Sequence, residues 1–155
     1  MSILLKQKID RFNQSGFTLS EILLSIALIG VIASISTPVY QAFQIRNDLD
    51  IAATSLVQTI RRAQLLSQAV DGDAPWGISV QLGSLVLFKG ASYTARDSNF
   101  DEVFGVPTSI TPSGTLEIVF AKFTGLPQTT GTITLTSNTN ETRAITINAK
   151  GMVSY

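Results

Sequence analysis

The sequence predicts an α+β fold in which one long N-terminal helix packs by its second half on antiparallel β-structure. Three observations lead there. An apolar run of 21 residues fills 17–37, apolar residues then recur at spacings of three and four to about residue 70, and beyond Pro75 the chain turns to short stretches rich in Val, Ile, Thr and Phe. A chain of 155 residues has room for one globular domain, commonly about 100–200 residues, plus an appendage.

Residues 1–16 are short, basic and end in glycine, and the apolar run follows that glycine directly. An ordinary secretory signal places its cleavage site after an apolar run of only about 7–15 residues. Here the run, at about 1.5 Å per helical residue, spans the roughly 30 Å hydrocarbon core of a bilayer. Lys6, Lys8 and Arg11 flank its N-terminal end. The positive-inside rule therefore puts that end in the cytoplasm and the C-terminal domain outside it. Pro38 interrupts the apolar run without ending the helical pattern. The stripe continues through Leu49, Ala52, Leu56, Ile60, Ala63 and Leu66, with Asp48, Asp50, Arg61 and Arg62 between. Such an amphipathic helix needs a partner surface. It is expected to stop near Val70, ahead of the turn residues Asp71-Gly72-Asp73-Ala74-Pro75.

Strands are expected at 76–82 and 85–89, a hairpin around Gly83-Ser84, then at 116–123, 132–136, 143–148 and, after Gly151, 152–155. Stretches 132–136 and 143–148 alternate polar and apolar residues, the pattern of a sheet with one buried face. About 110 residues outside the membrane suffice for one core, since domains of 55–65 residues fold alone.

Composition narrows the function. Charged residues are 14% of the chain, against about 25% in typical domains. The deficit is local, because Glu21 is the only charge between Phe17 and Val39. From Gly16 onward there are eight basic and ten acidic side chains, which is no clustered basic face for nucleic acid. The chain has no cysteine and no histidine. It therefore lacks thiolate chemistry, the commonest general base and the commonest metal ligand. No catalytic residue, cofactor or metal is expected, and the chain does not read as an enzyme.

At Gly16-Phe17-Thr18-Leu19-Ser20-Glu21 the chain resembles the processing and assembly motif of type IV pilins and type II secretion pseudopilins. In that motif a glycine precedes the phenylalanine that opens an apolar helix, and a glutamate follows four residues later. Pro38 also falls where that superfamily usually has a helix-interrupting proline. The remainder is similar to H-type pseudopilins and FimT-like minor pilins. The likeness lies in Val119-Phe120 leading to Gly125-Leu126-Pro127, in Thr132-Ile133-Thr134-Leu135, and in Arg143-Ala144-Ile145-Thr146-Ile147 followed by Gly151.

The resemblance implies a leader, 1–16, removed between Gly16 and Phe17 by a prepilin peptidase that also N-methylates Phe17. It implies a transmembrane and assembly helix at 17–38 and a pilin-like periplasmic domain at 39–155. The protein would sit as a single-pass subunit in the bacterial inner membrane, then in a pseudopilus or pilus. Its partners would be other subunits, the peptidase, the inner-membrane assembly platform and membrane lipid, with nucleic acid not expected among them. The implied role is a structural minor pseudopilin or minor pilin; the alternative is a DNA-binding minor pilin of a DNA-uptake pilus.

Individual residues carry competing readings. Thr18-x-x-Glu21 fits a helix capping box, whereas the resemblance implies that Glu21 pairs with the Phe17 amine of a neighbouring subunit. An ionisable residue within a spanning segment is functional by default. Ala27, Gly30 and Ser34 form a small-residue face that lets helices approach in lipid, or are simply common membrane-helix residues; the resemblance adds that Gly30 and Pro38 permit local unwinding in a filament. Asp97, Asn99 and Asp101 alternate as in the opening of a calcium loop, but the following glycine and terminal glutamate are missing. A solvated loop is therefore favoured over 97–102, and Asp71 and Asp73 are read in the same way. Trp76 is expected in the core. Arg143 and Lys150 are the residues a DNA contact would use, with acidic Glu141 close by. Asn140-Glu141-Thr142 matches a glycosylation sequon, which carries little weight in a bacterial protein.

Overall fold

The computed structural model describes residues 16–155, with the side chains of 35–38 excepted. The leader residues 1–15, including Lys6, Lys8 and Arg11, lie outside the described residues. The chain divides into two compact units, Met1–Tyr40 and Gln41–Tyr155. One helix, α1 (Leu19–Gln68), has 50 residues and runs through Pro38, so the helical pattern does continue past the proline. Only the last stretch, from about Gln41, belongs to the globular unit.

Within that unit the expected stripe is the buried face. Leu49, Ala52, Leu56, Ile60 and Ala63 are buried, joined by Ala53 and Val57, and Leu66 packs at the edge of the same cluster. The charged residues between them stay at the surface or partly exposed. The helix ends at Gln68. Val70 then takes a left-handed conformation, φ 56°, and a 3₁₀ turn follows at Asp71–Asp73.

Among the described residues, eight strands form two four-stranded antiparallel sheets. The first is built from β1 (Trp76–Gln81), β2 (Ser84–Lys89), β3 (Asp97–Gly105) and β5 (Glu117–Phe120), in the order β3-β2-β1-β5. The second contains β4 (Ile110–Gly114), β6 (Gly131–Ser137), β7 (Thr142–Ile147) and β8 (Val153–Ser154), in the order β4-β6-β7-β8. In β6 and β7 the alternation works as expected, with Ile133, Leu135, Ile145 and Ile147 buried between exposed or half-exposed polar residues. These four join Ile78, Val80, Leu85, Leu87, Ile118 and Phe120 and the helix stripe in one core.

The central strands of the first sheet are buried on both faces. Phe88 lies over Gly77, where an added Cβ would meet the ring at 2.6 Å and the Ile118 carbonyl at 2.8 Å. On that outer side Phe88 meets Tyr93 edge-on, with ring centroids 5.7 Å apart. Trp76 is buried as expected. Its indole N–H donates to the Asp71 carbonyl (2.9 Å) and its backbone N–H to the Ser67 hydroxyl (2.8 Å), so the strand start is tied to the helix end.

Three expectations are corrected. The segment 97–102, read as a solvated loop, is the first part of β3: it pairs with β2 through Lys89↔Asp97 and Leu87↔Glu102 across a bulge. The strand expected at 116–123 stops at Phe120, because Ala121 turns back to accept Gly125 N–H (2.9 Å) and Phe123 sits at φ 69°. Strand β4, with Pro112 inside it, was not expected. Proline is tolerated there because β4 is a sheet edge.

Ion pairs align the helix with the second sheet. Arg46 meets Glu141 and Asp50 meets Arg143, both at 2.8 Å. Four helical residues rise about 6 Å and two strand residues about 6.6 Å, so Arg46 and Asp50 match the spacing of Glu141 and Arg143. The alternating signs disfavour a slip of one pair. Exposed pairs of this kind are worth only about 0–1 kcal/mol each, so they set register more than stability.

A fragment lacking residues 1–44 should be soluble, folded and monomeric by sedimentation and near-UV circular dichroism. In that fragment Leu56→Ala, at a fully buried site, should lower the unfolding free energy by about 2–5 kcal/mol in urea titrations. Ile51→Ala on the exposed side of the same helix should change it by less than about 0.5 kcal/mol. Aggregation of the fragment, or equal effects of the two substitutions, would contradict the packing.

Candidate functional site

The N-terminal motif is built by the way α1 begins. Gly16, Phe17 and Thr18 precede the helix in non-helical backbone, and all three are exposed. Phe17 is 84% exposed, and an added Cβ at Gly16 would meet nothing within 4 Å. The backbone on both sides of the Gly16–Phe17 peptide bond is thus non-helical and exposed.

Thr18 and Glu21 come together as a reciprocal capping box. The Thr18 backbone N–H donates to Glu21 Oε2 at 2.7 Å and the Thr18 hydroxyl to the same oxygen at 2.8 Å. In return, Glu21 N–H reaches Thr18 Oγ1 at 3.3 Å. The first helical bond follows from Ile22 N–H to the Thr18 carbonyl, 3.2 Å. Glu21 is the acidic residue of the first turn, where the helix dipole favours a negative charge. The local reading of Glu21 is thus a feature of the fold, and it engages one carboxylate oxygen.

Beyond the box, the first unit presents apolar side chains on every side. Leu19, Ile22, Leu23, Leu24, Ile26, Leu28, Ile29, Val31 and Ile32 are all exposed. A helix that is hydrophobic all round belongs in a membrane or among other helices. This helix is long and apolar enough to cross a membrane by length and composition. Ala27, Gly30 and Ser34 are exposed as well. A Cβ on Gly30 would meet nothing within 4 Å, and Ser34 returns its hydroxyl to the Val31 carbonyl at 2.8 Å. Pro38 lies within α1, where it removes one backbone donor from the helical ladder.

The remaining candidates are occupied by structural contacts. Asp97 accepts both the backbone and side-chain N–H of Asn99 (3.1 and 3.0 Å). Asp101 Oδ2 takes the Arg96 guanidinium at 2.7 Å, a bond that raises the Arg96 pKa above its ordinary value. Asp101 Oδ1 is buried without a partner among the described residues. No group of three or more metal-ligating side chains occurs among the described residues. Asp73 pairs with Lys122 at 2.7 Å; that hydrogen bond and the lysine charge hold its carboxyl below the usual carboxylate range. Arg143 is spent on Asp50 and Glu141 on Arg46. Lys150 sits in a tight turn, where its backbone N–H donates to Asn148 Oδ1. The two cations singled out for DNA are thus one paired guanidinium and one turn residue. The long-range ion pairs escaped the sequence reading, because nothing local links positions some 90 residues apart.

Residues 11–37 match the family model described as the prokaryotic N-terminal methylation motif. The match supports a type IV pilin-like subunit and implies processing by prepilin peptidase and assembly with other pilin subunits. Motif and apolar helix together fit membrane anchoring. No solved structure matches the chain.

The Asp73–Lys122 pair makes a pH prediction. A depressed carboxyl pKa contributes stability above the unfolded-state value and loses it as pH falls through the folded value. Lys122→Met should therefore lower the urea midpoint of the globular unit at neutral pH. The difference from wild type should shrink once the carboxylates protonate, and a difference constant through the acid range would show that the pair contributes nothing.

Proposed function

We propose that this chain is a minor pseudopilin or minor pilin, a non-enzymatic structural subunit made as a prepilin and assembled through its N-terminal helix. In this reading residues 1–16 are the leader, cleaved between Gly16 and Phe17, and Phe17 becomes the N-methylated terminus. Residues 17–38 anchor the subunit in the inner membrane with 39–155 outside the cytoplasm. The subunit then enters a type II secretion pseudopilus or a type IV pilus.

One observation carries the proposal: an exposed Gly16-Phe17 junction opens directly into a stretch of helix whose described side chains are exposed and mostly apolar, with Glu21 the only charge between Phe17 and Val39. A soluble core helix would bury a face, and an ordinary signal would be cleaved after its apolar run. An anchor that serves first in lipid and then among like helices needs neither. Glu21 is the exception that such a segment tolerates only for a purpose. Its Oε2 is held by Thr18, while Oε1 accepts no bond among the described residues and is available to the Phe17 amine of a neighbour. The pair would fix the axial register of one subunit on the next. Pro38 would relax the helix where subunits bend against each other.

Processing is tested by intact-mass analysis of the protein extracted from membranes, which should show a chain beginning at methylated Phe17. A chain beginning at Met1, or beyond Phe17, would sink the assignment. Assembly is tested by Glu21→Gln, which keeps a carbonyl oxygen for the cap and removes the charge. This variant should insert and be cleaved after Gly16, yet be absent from sheared filaments. Wild-type incorporation would leave Glu21 with capping alone.

A further inference from the structure

The last residue of the first unit is an aromatic that the proposed anchor does not use. Tyr40 is 71% exposed, and its hydroxyl has no hydrogen-bond partner among the described residues. A helix entering the hydrocarbon at Phe17 crosses about 30 Å in roughly 20 residues, which ends the apolar crossing near Thr37. Tyr40 then lies about one helical turn farther out. That is the depth of the polar layer which brings a bilayer to about 40–45 Å. Along the sequence the next charge after Glu21 is Arg46, so no ionic group competes for this level. A phenol suits it, since the ring takes the acyl boundary while the hydroxyl stays among wet headgroups.

We propose that Tyr40 is the outer interfacial anchor of the membrane segment. Its ring seats in the lipid headgroup layer, fixes the depth at which the helix rides before assembly, and moves the outer boundary from Pro38 to Tyr40. The inference rests on the membrane-anchored reading above and adds the lipid contact that sets its depth. Lipid is the occupant because exposed apolar side chains run from Leu19 to Ile32 and resume at Val39, and the length of that stretch of helix places Tyr40 at the headgroups.

The chain has no cysteine, so single-cysteine variants across 35–46 of the full-length protein report the boundary directly. Spheroplasts would be treated with a membrane-impermeant maleimide. Labelling should be absent at 35–37, partial for Val39→Cys and full from Ala42→Cys outward. Adding Tyr40→Ser should raise labelling of Val39→Cys severalfold, as the boundary retreats by about one turn, roughly 5 Å; Tyr40→Trp should leave it unchanged. Full labelling already at 35–37, or no response to Tyr40→Ser, would overturn the proposal. Protection at position 40 that grows with expression and accompanies a Tyr40→Cys disulfide dimer would assign the surface to a second copy and overturn the lipid contact. Intact masses from the same samples separate the two levels. A chain that keeps residues 1–16 overturns the prepilin reading and one recovered outside the membrane fraction overturns the anchoring reading, whereas a processed, membrane-bound chain with a displaced boundary overturns only the role of Tyr40.

Discussion

The globular unit depends on one helical stripe that serves two sheets. Leu49, Leu56 and Ile60 are fully buried and share a cluster with Ile78, Leu87 and Ile118 of the first sheet and Ile133, Ile145 and Ile147 of the second. Each sheet has only four strands, and the second ends in a strand of two residues. Small sheets of this kind become stable when their apolar face packs against a helix. Both draw on the same helix, so cavities opened along the stripe destabilise the two sheets together. The pairing of Arg46 with Glu141 and Asp50 with Arg143 adds direction to that burial, which is itself non-directional.

The loop that follows β5 is held by the same helix. Gln64 donates to the Gly125 carbonyl (3.0 Å), Gln68 to the Thr124 carbonyl (3.4 Å), and the Ser67 carbonyl accepts Phe123 N–H (3.1 Å). Gly125 sits at φ 62° with the Gln68 side chain where a Cβ would be. The tight return of the chain to Pro127, which bridges Phe120, therefore requires glycine. The turn covers the outer edge of β5, and the proline within β4 blunts another edge, two of the usual ways in which sheets avoid unwanted pairing.

Legibility followed burial. The second half of the helix was readable because its period is long and the stripe from Leu49 to Ala63 reaches the core. β6 and β7 were readable because one face of each is buried, which leaves alternation in the sequence. β3 and β4 were not, and both are edges. β3 exposes most of its length and opens with Asp97-Ser98-Asn99, residues that favour turns; β4 contains Pro112. These two edge strands each bond to one neighbour and bury little, so pairing with β2 and β6 decides their conformation, and the local sequence records none of it. The ion pairs at the helix surface were hidden for the same reason, since only the fold brings their partners together. At the N-terminus the opposite holds. Thr18, Glu21 and the apolar run interact within a few residues, so the capping box could be read directly from their spacing.

That box also changes how the two readings of Glu21 relate. Capping and assembly stand as rivals only if both need the whole carboxylate. The geometry divides it: Oε2 receives both Thr18 donors, and an ionised carboxylate offers about four lone-pair sites over its two oxygens. A charge entering an apolar setting loses water, and the cost grows with every site left unsatisfied. The cap supplies part of that satisfaction from the chain itself, independent of any neighbour. It also holds the side chain against the first turn, so fewer rotamers are lost when a second donor approaches. A helix whose acid is already half-bonded is therefore better prepared for the proposed amine of an adjacent subunit than one whose acid is fully hydrated. The local contact would lower the cost of the proposed long-range one and leave Oε1 available to it.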